Sequence, residues 1–410
     1  MSYQTLRKIY YKDNDHYDQE YNSRFTSEGS VKLDFYVGKN QAFFLMTSEA
    51  YDLLVKIYMR NHDVFKLCKS LPGMALYQYS KKCLIDEIVI TNSIEGVHSS
   101  RKEIGEALSI LENQANQKKG KKSRFAGLVN KYLKLLKEET IRLYECKDVR
   151  DLYDEVFLEE VIHEDPDNMP DGELFRKGPV SVVSATGKIL HSGILPESKI
   201  IEYMNIALKF LNDDSVVEND LIRICIFHYL LEYIHPFYDG NGRLGRLILS
   251  YGLSNSLYYL IAFRISETIK ENINAFYKAF KECNDPLNRG DLTPFLLMQL
   301  DMIFLSMDEL IESLEKKKDT LTKYQRIIDH LFSANGELHE LYYILIQATL
   351  FSENGIQMSD ITEITEKSVY LTKKVMSKIP DELLDIKKKG NAKYYNLDLK
   401  VLESMELDKE

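Results

Sequence analysis

The sequence predicts a mainly α-helical chain: a helical bundle with one β-hairpin standing out from it, then a C-terminal domain of three helices and a terminal hairpin. Three observations predict this. From Ser48 onward apolar residues recur at helical spacing. The stretch 220–234 is apolar almost all round, as in the buried axis of a bundle. Beyond residue 331, three helical patterns and two β runs follow in the order of a winged helix, a helix-turn-helix variant.

Residues 1–45 are polar and tyrosine-rich, with strand patterns at 31–37 and 41–46 across Gly38-Lys39-Asn40. Ser48 suits a helix N-cap, and Tyr51, Leu54 and Ile57 then share one face. A second helix is expected over 76–94, where Leu84, Ile85, Ile88 and Val89 recur. It closes at Glu95-Gly96, since glycine suits a helix C-terminus. The basic string 118–124 reads as a solvated turn in preference to a binding patch. Helices are expected near 125–146 and 149–163. A stretch rich in Pro, Asp and Gly, 164–180, leads to β runs 180–183 and 188–191 across Ala185-Thr186-Gly187, a hairpin. After the axial helix come a glycine-rich turn, further helices and a long amphipathic one over 294–314. The C-terminal helices are expected at 338–350, 358–364 and 369–379. Their hairpin has strands 383–386 and 392–397 across the turn 387–391. The corresponding domains are 1–110, 111–325 and 326–410.

Composition narrows the class. The 410 residues carry a net charge of -10, which argues against coating nucleic acid by bulk electrostatics but leaves a local basic patch open. Five scattered cysteines with no CxxC spacing argue against a disulfide framework or zinc knuckle, and for a reducing, cytoplasmic setting. The first residues lack the apolar core of a signal peptide, and no run of about 18 apolar residues suggests a membrane span.

The chemistry concentrates in His235-Pro236-Phe237-Tyr238-Asp239-Gly240-Asn241-Gly242-Arg243-Leu244-Gly245-Arg246. Pro236 stops the axial helix and leaves His235 at its end. Gly240 and Gly242 permit positive φ and close backbone approach, and Asn241 tolerates the same region. A new helix then opens, so several N–H groups and the helix dipole converge on one spot, a nest for an anion. Arg243 and Arg246, three apart, can grip phosphate oxygens. Asp239 would repel bare phosphate, and a divalent cation between them resolves this. His235 supplies a base near neutral pH.

This string resembles the Fic signature HxFx[D/E]GNGRxxR at every fixed position, and the likeness extends over about 180–295. The resemblance implies a Fic-type helical bundle and a protein adenylyltransferase using ATP and Mg²⁺. His235 would deprotonate a target Ser, Thr or Tyr hydroxyl, which attacks the α-phosphorus. Asp239 would hold Mg²⁺. Gly240, Asn241 and Gly242 would cradle phosphate, with Leu244 and Gly245 in the same nucleotide-binding loop. Arg243 would take the β-phosphate and Arg246 the γ-phosphate. The hairpin at 180–191 is similar to the Fic flap, which pairs with a target strand. Leu190 and His191 on it, with Phe276, Tyr277 and Asn284, would touch the nucleotide, or in the case of His191 the target backbone, and Gly290-Asp291-Leu292-Thr293 resembles the family's later helices. Two of these keep a second reading: His191 as a polar strand end, Tyr277 as a core aromatic.

Thr91-Asn92-Ser93-Ile94-Glu95-Gly96 resembles the family's inhibitory motif [S/T]xxxE[G/N]. Thr91 and Glu95 are four apart and share a helix face, with Gly96 closing the helix. The resemblance implies an inhibitory helix over about 76–96, in the class that carries it before the core, with Glu95 paired to Arg246. Whether Glu95 also serves AMP removal stays open.

The C-terminal module carries Lys373, Lys374 and Lys378 on its second helix and Lys387, Lys388, Lys389 and Lys393 on its wing. Acidic neighbours dilute this patch and no arginine follows Arg326, so protein contact is favoured over DNA binding. Self-modification, a homodimer, a different phosphate donor and a nucleotide-sensing DNA-binding regulator stay open as alternatives.

Overall fold

The computed structural model describes residues 3–113, 124–183, 189–332, 335–389 and 392–407. Residues 118–123 of the basic string, the flap turn Ala185-Thr186-Gly187 and wing residues 390–391 lie outside them. The described residues are mostly helical, with three small sheets. They form two compact units: Met1–His62 with Leu84–Asp308, and Asp63–Cys83 with Glu309–Glu410. No described helix is long and apolar enough to cross a membrane. No disulfide joins the five cysteines, all of them buried.

The first unit is built round the helix Asp220–Ile234. Every residue from Leu221 to Ile234 is buried, and Asn219 caps its start by accepting from the Leu221 and Ile222 N–H groups. Each such Leu, Ile or Phe contributes about 1.5–3 kcal/mol through burial. This axial helix packs against Glu197–Asn212 on one side and Asn241–Ser256 on another. The strands Ser30–Val37 and Asn40–Leu45 pair antiparallel across Gly38, whose φ is 61°.

Two helices, Leu6–Lys12 and Asn14–Thr26, precede these strands where the sequence showed only weak periodicity. Their buried face is aromatic: Tyr10, Tyr17, Tyr21 and Phe25 gather with Leu6 and Phe43. The helix expected over 125–146 ends at Leu136. Glu138 turns left-handed there (φ 60°), and Glu138 and Glu139 donate back to Leu135 and Lys134 carbonyls at 2.9 and 3.0 Å. A fresh helical run begins at Cys146, where Glu145 and Asp148 cap each other's backbone. It passes through a π turn, Asp154–Leu158, into Glu159–Glu164.

The helix expected over 294–314 spans Thr293–Phe332. The charged string 315–319 does not stop it, since Glu and Lys are good helix formers. Leu321, Tyr324, Ile327, Ile328 and Leu331 carry its buried stripe onward. In the second unit Gly336–Phe351, Met358–Thr365 and Val369–Met376 follow in the expected order. Hairpin strands Leu384–Lys389 and Ala392–Leu397 come next, with lysines 387–389 inside the first strand. Two elements were not read from the sequence: strand Ile356–Gln357, which pairs with Ala392–Leu397, and the closing helix Leu399–Leu407.

Candidate active site

The axial helix ends on His235, held left-handed at φ 52° and ψ 63°. For a residue with a β-carbon this costs about 1–2 kcal/mol. Surrounding bonds hold it: the His235 N–H donates to Leu231 O at 2.9 Å. From behind, buried Arg176 donates to the carbonyls of His235 (2.8 Å), Gly178 (2.6 Å) and Ile194 (3.0 Å). The imidazole Nδ1 faces the Glu232 carbonyl at 3.4 Å and Glu232 Oε2 at 3.9 Å. Burial pushes the His235 pKa down to about 4, with the Glu95 charge pulling it upward. The ring is therefore neutral at physiological pH, and a proton on Nδ1 leaves Nε2 as the acceptor.

The turn itself is closed from inside. The Phe237 ring is buried, lying flat on Tyr153 at 3.6 Å between centroids and meeting Phe175 edge-on at 5.5 Å. The Asn241 side chain accepts from the Phe237 N–H (2.9 Å) and donates to the Phe237 carbonyl (2.8 Å). Gly240 sits at φ 83°, which a side chain would resist, and opens the helix Asn241–Ser256 with no side-chain cap among the described residues. Its first-turn N–H groups are thus available to an anion.

An anion is already there. The Glu95 carboxylate lies over Gly242, close enough that a β-carbon on that glycine would stand 2.2 Å from Oε1. Arg246 donates to Glu95 Oε1 at 2.6 Å, to the Thr91 hydroxyl at 2.8 Å and to the Thr91 carbonyl at 3.2 Å. Burial alone would raise the Glu95 pKa. Arg246's charge and hydrogen bond, with Arg243 and His235 beyond, bring it net below the ordinary value. Both residues sit at the end of the helix Gly73–Ile94, and Gly96 follows at φ 76°. One turn earlier, Glu87 is buried and accepts from the Ser266 N–H at 3.1 Å and the Ser266 hydroxyl.

Arg243 is fully buried. Its Nη1 donates to Glu160 Oε1 at 2.8 Å, and its guanidinium lies 5.2 Å from the Phe157 ring centroid. Its Nε and Nη2 make no hydrogen bond among the described residues, although Nη2 stands 3.7 Å from Asp239 Oδ2. Asp239 is partly exposed, and its Oδ1 accepts from the Gly240 N–H at 2.6 Å. No cluster of three His, Cys, Asp or Glu able to hold a metal stands among the described residues. Asp239 offers one partly exposed carboxylate beside the open helix start, a donor that suits a cation sharing its coordination with phosphate oxygens.

The remaining expected contacts are spread more widely. The flap strands Ser181–Val183 and Ile189–Ser192 pair antiparallel, with Val182 opposite His191. Leu190 stands in the second strand, its side chain outside the described residues. His191 stacks on Tyr233 at 4.3 Å, and its Nε2 lies 2.7 Å from the Tyr233 carbonyl, joining the flap to the axial helix. Leu244 is buried and its N–H is used on Gly240 O at 2.9 Å. Gly245 faces inward, where a β-carbon would meet Glu232 Oε1 at 2.8 Å and His228 Cδ2 at 3.1 Å. Phe276 is buried against His228 and Phe295. Tyr277 is half-buried; burial raises its phenol pKa, and the charges of Glu95, Arg246 and Glu232 reach it. Asn284 Oδ1 accepts from Tyr229 OH at 2.6 Å, while its buried Nδ2 makes no hydrogen bond among the described residues. Asp291 is buried among Tyr3, Arg24 and Thr293.

Sequence reading missed Tyr153, Phe157, Glu160, Arg176, Glu87 and Glu232. The first three carried a usable signal, since spacings of four and three put them on one helix face. Glu87, four before Thr91, and Glu232, three before His235, carried the same spacing signal, whereas Arg176 carried none, because it acts on the distant carbonyls of His235 and Ile194.

Residues 144–253 match the Fic/DOC family model, a window holding the flap, the axial helix and the loop after it. The chain thus contains a Fic domain. It is 30% identical over 123 residues to the protein adenylyltransferase fic-1 of Caenorhabditis elegans, and 35% over 98 residues to that of Caenorhabditis briggsae. These matches cover 30% and 24% of this chain but only 22% and 18% of those proteins, about a fifth of their length. The crystal structure of a Fic family protein from Desulfovibrio desulfuricans G20 shares the fold, with a TM-score of 0.51 at 18% identity. That likeness covers 86% of this chain and 97% of the other.

Proposed function

We propose that this chain is a protein adenylyltransferase that moves AMP from ATP to a hydroxyl side chain of a target protein, and that Glu95 restrains it. The observation that carries this reading is the Glu95 carboxylate. It is an anion held by Arg246 over an uncapped helix N-terminus, with a neutral histidine nearby. A phosphate oxygen asks for the same partners.

In this reading the target hydroxyl gives its proton to His235 Nε2 while its oxygen forms a bond to the α-phosphorus. The bond from that phosphorus to the α,β-bridging oxygen breaks, and pyrophosphate leaves with the electron pair. Asp239 would hold Mg²⁺, which would supply neutralising charge to the phosphates. Asn241 and Gly242 present N–H groups to phosphate, whereas the Gly240 N–H, expected to do the same, is taken by Asp239 Oδ1 at 2.6 Å; Arg243 serves the β-phosphate and Arg246 the γ-phosphate once Glu95 withdraws. Tyr277 and the unpaired Asn284 Nδ2 suit the base. The flap offers its edge to a target strand. The C-terminal module, read as a winged helix, would serve protein contact in a reducing, cytoplasmic setting.

The test is labelling with α-³²P-ATP and Mg²⁺ in a lysate, using the Glu95→Gly chain with His235 intact or changed to Ala. Loss of label with retained nucleotide binding in the His235→Ala protein is expected. Label that persists without His235, or no labelled protein in either case, overturns the reading.

A further inference from the structure

We propose that Glu160 is the positioning residue for Arg243: it fixes one edge of the guanidinium so that the other edge meets the diphosphate unit common to ADP and ATP. The inference rests on the adenylyltransferase reading and adds a residue to it.

The geometry starts from burial. Arg243 is 0% and Glu160 2% exposed in their side chains, and a single bond of 2.8 Å from Nη1 to Oε1 joins them. One guanidinium has five donors in a rigid plane, so one bonded edge and one covered face fix its orientation. Phe157 covers the face at 5.2 Å from its centroid, and Glu160 takes the edge. What remains is the edge of Nε and Nη2, buried and without a hydrogen bond among the described residues. Buried guanidinium donors rarely stay unmatched, so an edge left open marks a place for an acceptor. Asp239 Oδ2, at 3.7 Å from Nη2, is too far to be that acceptor but shows that the edge is turned toward the loop.

Glu160 is itself presented by a shaped surface. Tyr153, Phe157 and Glu160 share one face of the helical run, and each meets the loop. Tyr153 stacks on Phe237 and donates to Asp239 O at 3.1 Å, Phe157 lies against Arg243, and Glu160 bonds it. Arg124 donates at 3.4 Å to the same oxygen, Glu160 Oε1, and pairs with Glu164, so the carboxylate is held by a second cation as well. Arg246 is held differently: its guanidinium is engaged by Thr91 and Glu95. Arg243 is therefore set before Glu95 moves, while Arg246 becomes available only afterwards. Diphosphate recognition and γ-phosphate recognition are separate events on neighbouring arginines.

Calorimetric titration of the full chain with Mg²⁺-ATP, Mg²⁺-ADP and AMP tests this. The proteins are Glu95→Gly alone and with Glu160→Gln or Glu160→Asp. Glu160→Gln should weaken ATP and ADP by the same factor, about tenfold, as for one charge-assisted hydrogen bond lost. AMP affinity should hold within about twofold, since AMP lacks the second phosphate. Glu160→Asp should recover part of the loss. If Glu160→Gln does not fold, Arg243→Lys, which keeps the charge but not the open edge, must give the same pattern. A Glu160 or Arg243 variant that leaves ADP binding unchanged, or weakens AMP as much as ADP, overturns the proposal alone. A Glu95→Gly chain that binds none of the three nucleotides sinks the adenylyltransferase reading, and this inference with it.

Discussion

Glu95 and Gly242 share one volume: a β-carbon on Gly242 would stand 2.2 Å from Glu95 Oε1 and 3.2 Å from Arg246 Nη1. The glycine makes room for an anion at the helix N-terminus, and in this structure the anion belongs to the protein. Its side chain is absent for reasons of space, since it is Gly240, not Gly242, whose backbone turns left-handed.

Gly242→Ala should therefore destabilise the chain through Glu95. Overpacking of this kind costs about 1–3 kcal/mol. The same change in the Glu95→Gly background should cost much less, leaving a coupling above about 1 kcal/mol. Urea unfolding of the four proteins measures it. Simple additivity of the two substitutions would show that the glutamate does not occupy this position in solution.

Thr91 and Glu95 hold Arg246 by different bonds, which grades the release. Glu95→Gly removes the charge pair and should raise AMP transfer by more than about tenfold, or 1.4 kcal/mol. Thr91→Ala removes only the hydroxyl that accepts from Arg246 Nε at 2.8 Å, and keeps the backbone bond and Glu95. Its labelling rate should fall between wild type and Glu95→Gly. Equal rates in all three proteins would exclude restraint by this helix.

The loop 235–246 was legible because its residues are local: histidine, aspartate, glycines and arginines lie within twelve residues. The Thr91–Glu95 motif was legible for the same reason, one turn of helix. What acts on the loop from elsewhere was not. Glu160 meets Arg243 across 83 positions and Arg176 meets His235 across 59. No period in the sequence announces such a pairing. The first two helices escaped because tyrosines form their buried face, and an amphipathic pattern sought in Leu and Ile passes over them. The long helix Thr293–Phe332 was cut short at its charged string, where propensity favours helix even though the apolar stripe pauses.

Asn241 closes the loop on Phe237 with two hydrogen bonds, 2.9 and 2.8 Å, both buried. Asn241→Ala leaves a backbone N–H and carbonyl unmatched, which costs about 1–3 kcal/mol for each group. Asn241→Asp keeps the acceptor for the Phe237 N–H and loses the donor, so its melting temperature should lie between those of wild type and Asn241→Ala. Transfer activity in the Glu95→Gly background should follow the same order. A fully stable Asn241→Ala protein would show that the turn is held by Phe237 packing alone.

The helix carrying Glu95 is anchored by a carboxyl group that should make its docking depend on pH. Glu87, Thr91 and Glu95 are spaced four apart, so one face meets the core. Burial raises the Glu87 pKa to about 7, while hydrogen bonds from Ser266 and the charges of Arg246 and Arg264 pull downward. Glu232 is raised to about 7 as well, by burial first and then by the Glu95 charge, against Arg246. Both folded values lie above the ordinary 4.5, so each group's stabilising share is full below that value and lost as pH rises through about 7. The slope from one group cannot exceed about 1.4 kcal/mol per pH unit. Glu87→Gln cannot titrate, so its unfolding free energy should fall less than that of wild type between pH 5 and pH 8. The two should start close together at the acid end, where both side chains are neutral, and the variant should stand above wild type at the alkaline end, where burial of the Glu87 charge weighs against the folded state. If the two curves run parallel across that range, Glu87 does not change protonation on unfolding and the anchor is insensitive to pH.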